Sequence, residues 1–143
     1  MMERYKYILF EGRWGISITI YGQVYSKNSF QDDCIEVCTG LWLSFSKYPL
    51  SENEIFCEED RDAIYSALDM VKYDILSNSQ AANGVVIQIC SLQYSVCFYQ
   101  KEAMIAAMIN WCSKVFDFES KEIKSKFDKK SNKYIFDFSD SEK

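Results

Sequence analysis

The feature that most constrains the fold is one helical hydrophobic stripe in the middle of the chain. Its apolar residues recur at intervals of three and four, the spacing of one face of an α-helix. They are Ile64, Ala67, Leu68, Val71 and Ile75. Several apolar segments before and after this stripe have the length and composition of strands instead. The stripe predicts a helix over residues 58–77, within a chain that otherwise favours strands.

The first third of the chain contains two candidate hairpins. Residues 5–10 (YKYILF) and 14–21 (WGISITIY) are separated by a short loop containing glycine, which is typical of a hairpin with a bulge. In the second of these segments isoleucine alternates with serine and threonine, so we expect one buried face. Residues 34–38 (CIEVC) and 41–46 (LWLSFS) form the second candidate pair.

A capping box precedes the predicted helix. Ser51 has the type of an N-cap, Glu54 follows three residues later, and Leu50 and Ile55 are placed for a hydrophobic staple. Because Ile55 falls opposite the hydrophobic stripe, we expect a short turn over residues 52–56 before the main helix.

The second half of the chain repeats the strand and helix patterns. Residues 85–91 and 94–99 predict another hairpin, turning at Leu92 and Gln93. Residues 101–116 predict a second helix that is apolar around most of its circumference. Such a helix is buried on most sides, as it would be between the sheet and the first helix. After this helix we expect a lysine-rich connecting loop over 119–133, a last strand over 134–138, and a frayed tail over 139–143.

These elements predict a single α+β domain over residues 1–143. The expected architecture is a largely antiparallel sheet of about five to seven strands with two helices packed on one face. A chain of 143 residues is long enough for one sizeable hydrophobic core.

The residue content excludes most common catalytic arrangements. The chain has no histidine, so no Ser–His–Asp or Cys–His arrangement and no histidine-ligated zinc site can form. The five glycines fit no phosphate-binding loop, and no GxSxG motif is present. We therefore expect no enzyme and no cofactor, although a mechanism that uses carboxylates or a cysteine alone stays open.

Metal binding is also not expected. Among the six cysteines, Cys34 and Cys38 lie four residues apart, which is a weak match to the spacing of zinc ligands. The acidic run over residues 58–62 lacks the glycine of a calcium-binding loop. We expect the cysteines to be reduced thiols of a cytoplasmic protein, because no signal peptide or membrane-spanning pattern is visible.

Charge is distributed unevenly along the chain. Residues 28–71 carry ten acids and two bases, a local net charge of −8, and residues 121–133 carry six lysines and two acids, a net charge of +4. The overall charge of −5 argues against binding to nucleic acid or to an anionic membrane. For the lysines we expect a soluble connecting loop.

The acidic side of the first predicted helix is the candidate binding face. Carboxylates and an aromatic ring on one rigid element suit the capture of a basic protein surface. The candidate residues are Glu58, Glu59, Asp60, Asp62, Asp69 and Tyr73. The alternative is a solvated helix start, because acids in the first turn are favoured by the helix dipole.

A small acidic α+β chain with a concentrated negative face resembles the immunity proteins of bacterial toxin systems. The nearest classes are those of contact-dependent growth inhibition and of polymorphic toxins. The resemblance covers size, charge and layout over the whole chain, and it transfers no residue because no motif carries it. It implies that the protein neutralises a cognate, basic toxin domain by occlusion. The alternatives are a dimeric adaptor or secretion-chaperone-like binding protein, and a small enzyme or ligand-binding module.

Overall fold

The structure is a computed structural model that describes residues 2–48, 57–79, 83–120 and 123–138. These residues form seven strands, two α-helices and two short 3₁₀ turns, at Lys27–Ser29 and Val96–Phe98. The strands and helices are β1 (Glu3–Phe10), β2 (Gly15–Ser26), β3 (Ile35–Cys38), β4 (Leu41–Ser44), α1 (Glu58–Asn78), β5 (Val85–Tyr94), α2 (Lys101–Phe116), β6 (Lys124–Asp128) and β7 (Lys133–Asp137). The predicted capping box, staple and short turn lie outside the described residues, as does the predicted tail.

Five of the strands form one mixed sheet in the order β1-β2-β5-β4-β3. Three of its four strand pairs are antiparallel, and β4 and β5 are parallel. The parallel pair needs a crossover connection, and α1 provides it. The α+β fold and both predicted N-terminal hairpins are therefore confirmed.

The predicted hairpin over residues 85–99 is wrong. Those residues form one ten-residue strand, β5, followed by the 3₁₀ turn. Leu92 and Gln93, which we expected in a turn, pair with Ile20 and Thr19 of β2. β5 lies in the centre of the sheet, where both faces are covered. A buried central strand is a continuous apolar run without clear alternation, so periodicity does not show where it ends.

Both helices pack on the sheet and on each other. α1 contacts β3 and β4, whereas α2 contacts β1 and β2. The helices therefore lie side by side, and α2 does not separate α1 from the sheet as we expected. The hydrophobic stripe of α1 is buried as predicted, with Ile64, Leu68 and Ile75 each 0% exposed. The helix contains a kink at Val71, where φ is −115° and ψ is 18°.

The lysine-rich segment is not only a connecting loop. It contains β6, which pairs with β7 in a separate two-stranded sheet. Lysines alternate here with Ser125 and Phe127, so the period of a strand is present, but Phe127 is the one large apolar residue within β6. The pattern therefore lacked the hydrophobic alternation by which strands are recognised.

Tyr134 attaches this C-terminal hairpin to the rest of the fold. Its hydroxyl accepts hydrogen bonds from the backbone N–H groups of Glu11 (2.7 Å) and Gly12 (3.2 Å) and donates one to the carbonyl oxygen of Trp14 (2.6 Å). Its backbone N–H and carbonyl oxygen both bond to the side chain of Gln100, at 2.7 and 2.9 Å. The hairpin is thereby held against the turn between β1 and β2 and against the start of α2.

Candidate protein-binding site

Helix α1 presents five of the six predicted binding residues to solvent. They recur at helical spacing on the side opposite the buried stripe. These exposed residues are Glu58, Glu59, Asp62, Asp69 and Tyr73, and Tyr73 is 75% exposed. Since the opposite side of α1 packs on β3, β4 and α2, this surface is held on a supported helix.

Two further exposed residues of α1 belong to the same surface. Met70 is 51% exposed and lies three positions before Tyr73, and Asp74 is exposed directly after it. Their helical positions relative to Asp69 and Tyr73 can be read from the sequence, but Met70 carries no charge and so does not contribute to the acidic pattern. We call Glu58, Glu59, Asp62, Asp69, Met70, Tyr73 and Asp74 the acidic face. It consists of two exposed apolar side chains with carboxylates around them.

Lys72 is a basic residue that contacts this surface. Its Nζ lies 2.9 Å from Oδ1 of Asp69 and 5.4 Å from the centre of the Tyr73 ring. The hydrogen bond to Asp69 raises the pKa of the Lys72 ammonium. Exposed pairs of this kind contribute only about 0–1 kcal/mol, so a lysine or arginine of a partner can replace Lys72 at little cost.

Asp60 requires a correction, because its side chain lies inside the protein. It is 2% exposed and accepts hydrogen bonds from the hydroxyls of Tyr94 (2.5 Å) and Tyr99 (2.6 Å). The two tyrosine rings stack with centres 4.5 Å apart. Asp60 therefore does not belong to the acidic face. It connects the first turn of α1 to the segment after β5.

The sequence contained a signal for this burial. Asp60 lies four residues before Ile64 and eight before Leu68, so it continues the hydrophobic stripe towards the helix start. A carboxylate at such a position needs hydrogen-bond donors from other parts of the chain. Tyr94 and Tyr99 provide them, and neither was recognisable as a partner of Asp60 from local sequence.

Burial is the first cause of the raised pKa of both tyrosines. The second cause is the hydrogen bond that each hydroxyl donates to Asp60, since the carboxylate favours the protonated phenol. These tyrosines are therefore hydrogen-bond donors over the ordinary pH range. Their arrangement with Asp60 is suited to holding two chain segments together.

Two observations concern metal-ligating and nucleophilic side chains among the described residues. They contain no group of three or more His, Cys, Asp or Glu side chains that could hold a metal ion. Burial raises the pKa of the Cys90 and Cys112 thiols. A raised pKa lowers the fraction of reactive thiolate, so these two cysteines are poor candidates for nucleophiles.

In the part of the chain that the structure describes, no helix has both the length and the apolar character needed to cross a membrane. Comparisons with protein-family models, with curated proteins and with solved structures found no match to this chain.

Proposed function

We propose that this protein is an immunity protein of the cytoplasm that binds a cognate, basic toxin domain through the acidic face and neutralises it by occlusion. The observation that carries the proposal is the composition of that face. Two exposed apolar side chains, Met70 and Tyr73, lie among Asp62, Asp69 and Asp74 on one helix. Protein interfaces commonly combine an apolar centre with a polar rim, and tyrosine is frequent among the residues that dominate binding energy.

Charge and packing would contribute differently to such binding. Carboxylates on the rim attract a basic domain over a distance of about one Debye length and so raise the association rate. Tyr73 and Met70 would then bury apolar area, which slows dissociation. The acidic face lies on a helix whose opposite side is buried, so little ordering is required on binding.

A dimeric adaptor or secretion-chaperone-like protein is the second candidate. The observation that favours it is the edge strand β1, whose Ile8 and Phe10 are 64% and 71% exposed. Exposed apolar residues on an edge strand suit association with a second chain. This candidate predicts a constitutive homodimer that persists when the partner is bound.

The test is capture of partners from the source cell's lysate, with the protein as bait, at low and at high salt. Immunity function predicts recovery of a basic protein whose toxic activity the bait suppresses, with less recovery at high salt. A variant with Glu59, Asp62 and Asp69 changed to Lys should recover much less of it. A matched control changes the exposed Glu36, Glu102 and Glu119 to Lys, which alters net charge equally and leaves the acidic face intact.

Recovery of the same toxin by the wild type and the acidic-face variant would contradict the proposed binding face. Recovery of a partner whose activity is unaffected, together with a dimer that persists in the complex, would favour the adaptor.

A further inference from the structure

The outward side of the C-terminal hairpin carries a second surface with charges of the opposite sign. Cross-strand partners share one side of a sheet, and the pairs Lys124–Asp137, Lys126–Ile135 and Asp128–Lys133 alternate with inward pairs. We call the following residues the basic face: Lys124, Lys126, Lys133 and Ile135, with Lys129 and Lys130 of the turn. Asp128 and Asp137 lie on the same side, so its lysines outnumber its acids by five to two. All five lysines are exposed.

The basic face also has an apolar centre. Ile135 is 54% exposed and lies directly across from Lys126. The hydrogen bond from Ser131 and, to a smaller extent, the charge of Lys126 lower the pKa of Asp128 on the same side of the hairpin. The inward side of the hairpin is fixed, because the ring of Tyr134 packs edge-on against Trp14 and Phe127, with centres 5.2 and 5.1 Å away. The lysines are therefore held on a rigid hairpin.

The two surfaces carry opposite predominant charges, and the acidic face is the longer of the two. From Glu59 to Asp74 the acidic face extends about 22 Å along α1, at 1.5 Å per residue. Counted in the same way, a five-residue strand extends about 14 Å. The acidic face places Met70 and Tyr73, and the basic face places Ile135, within a rim of one predominant charge, and the two rims have opposite signs. Complementary rims around apolar centres are the arrangement that fixes orientation in protein interfaces.

We propose that the occupant of the basic face is a second copy of this chain, bound through its acidic face. The C-terminal hairpin lies at the end of the molecule where α1 begins. Lys133 and Asn132 line a cleft together with Tyr99, and Tyr99 bonds to Asp60 in the first turn of α1, next to Glu59. In a two-fold dimer each acidic face would meet the basic face of the other copy, which closes the assembly.

The net charge of −5 on each copy opposes this contact. Most of the charges that repel each other are farther apart than the opposite charges that meet in the interface. At physiological ionic strength the Debye length is about 8 Å, so charges in the interface interact while most others are screened. At about 1 M salt the Debye length is about 3 Å, and the attraction itself is weakened. The dimer is therefore salt-sensitive, unlike a dimer formed by β1.

The dimer has a consequence that rests on the proposed function. The second copy covers the same acidic face that a toxin would bind, so toxin and second copy compete. The dimer is then a reserve form from which a basic toxin displaces one partner.

Sedimentation equilibrium of the purified protein alone tests the dimer, without any toxin. The wild type should dimerise at about 0.1 M salt and dissociate at about 1 M. Two variants should each raise the dimer Kd by about tenfold or more. One changes Glu59, Asp62 and Asp69 to Lys, and the other changes Lys126 and Lys133 to Glu. A control that changes the exposed Lys6 and Arg13 to Glu should dimerise as the wild type does.

Mixing the two variants is the decisive measurement. Each is weak alone, but in a mixed pair both contacts again join opposite charges, so a 1:1 heterodimer should form. A wild type that stays monomeric overturns the proposal, as does a dimer that persists in both variants or a mixture that stays monomeric. Dimer loss in the control variant would place the contact at β1. A basic face that binds duplex DNA or RNA while the protein remains monomeric would identify a nucleic acid as its occupant and also overturn the proposal.

Failure of the dimer leaves the toxin-capture result unaffected. Conversely, a dimer that forms as described while no toxin is captured would contradict only the proposed function and the competition that rests on it.

Discussion

The hydroxyl of Tyr99 donates a hydrogen bond of 2.6 Å to Oδ1 of Asp60, and this bond joins the segment after β5 to the first turn of α1. Tyr94, the last residue of β5, donates to the other carboxylate oxygen at 2.5 Å. A carboxylate inside the first helical turn also lies where the positive end of the helix dipole acts. Asp60 therefore connects three parts of the fold: the start of α1, the central strand β5 and the segment before α2.

We expect Asp60→Ala to lower the free energy of unfolding by about 2–4 kcal/mol. The substitution removes a charged acceptor and leaves two partly buried hydroxyls without it, and each such loss costs about 1–3 kcal/mol. Urea denaturation with a fitted slope measures the change. The matched control is Asp62→Ala, which removes an exposed acid two residues later and should change stability by less than about 0.5 kcal/mol. Equal effects of the two substitutions would show that Asp60 is not the connecting residue.

Alkaline pH should destabilise the protein. In the folded state burial and Asp60 raise the pKa of Tyr94 and Tyr99, and burial raises the pKa of Tyr7 to about 12. The unfolded tyrosines titrate near about pH 10. The folded state therefore holds these protons more tightly, so their contribution is complete below about pH 10 and is lost as the pH rises above it.

The free energy of unfolding measured from about pH 8 to about pH 11 tests this expectation. Burial also raises the pKa of Cys112 in the folded state, and an unfolded thiol titrates near about pH 8.5, below tyrosine. The tyrosine contribution is therefore isolated with a double Tyr94→Phe and Tyr99→Phe variant. That variant should show a shallower decline above about pH 10 than the wild type. Identical slopes would contradict the assignment to these two phenols.

The positions of Leu68 and Met70 on α1 predict a large and a small loss of stability, respectively, when each is changed to alanine. Leu68 is 0% exposed, so Leu68→Ala should cost about 2–5 kcal/mol through lost burial and the cavity it leaves. Met70 is 51% exposed, and Met70→Ala should change stability by less than about 0.5 kcal/mol. Chemical denaturation of both variants measures the difference. A small effect at Leu68 together with a large one at Met70 would reverse the assignment of the helix faces.

The sequence predicts the parts of this fold in which one local period dominates. The stripe of α1 and the alternating isoleucines of β2 each have a period that fixes the element and its buried face. β5 has no such period, because a central strand is buried on both faces, and β6 has lysine where a strand pattern would have apolar residues. The partners of β5, which are β2 and β4, are distant in sequence, so no local window contains the information. The partner of β6 is the adjacent strand β7, so only the polar composition of β6 obscured it.

The candidate site divides in the same way. The exposure of Glu59, Asp62 and Tyr73 follows from helical spacing, and the structure agrees. The burial of Asp60 depends on Tyr94 and Tyr99, which lie 34 and 39 residues later. Composition treats all acids in a cluster alike, whereas the fold separates one of them from the others.

The proposed toxin complex predicts that charge and apolar residues of the acidic face affect different rate constants. Changing Glu59, Asp62 and Asp69 to Lys should lower the association rate by about tenfold or more at low salt, because long-range attraction guides the encounter. Tyr73→Ala and Met70→Ala should mainly raise the dissociation rate, because each removes apolar area that is buried only after docking.

Stopped-flow association and chase experiments with the captured toxin domain measure the two rates separately. Circular dichroism of each variant must match the wild type, since all of these side chains are exposed in the free protein. An association rate that the charge reversal leaves unchanged would exclude electrostatic guidance by this face, and a dissociation rate that Tyr73→Ala leaves unchanged would place the centre of the interface elsewhere.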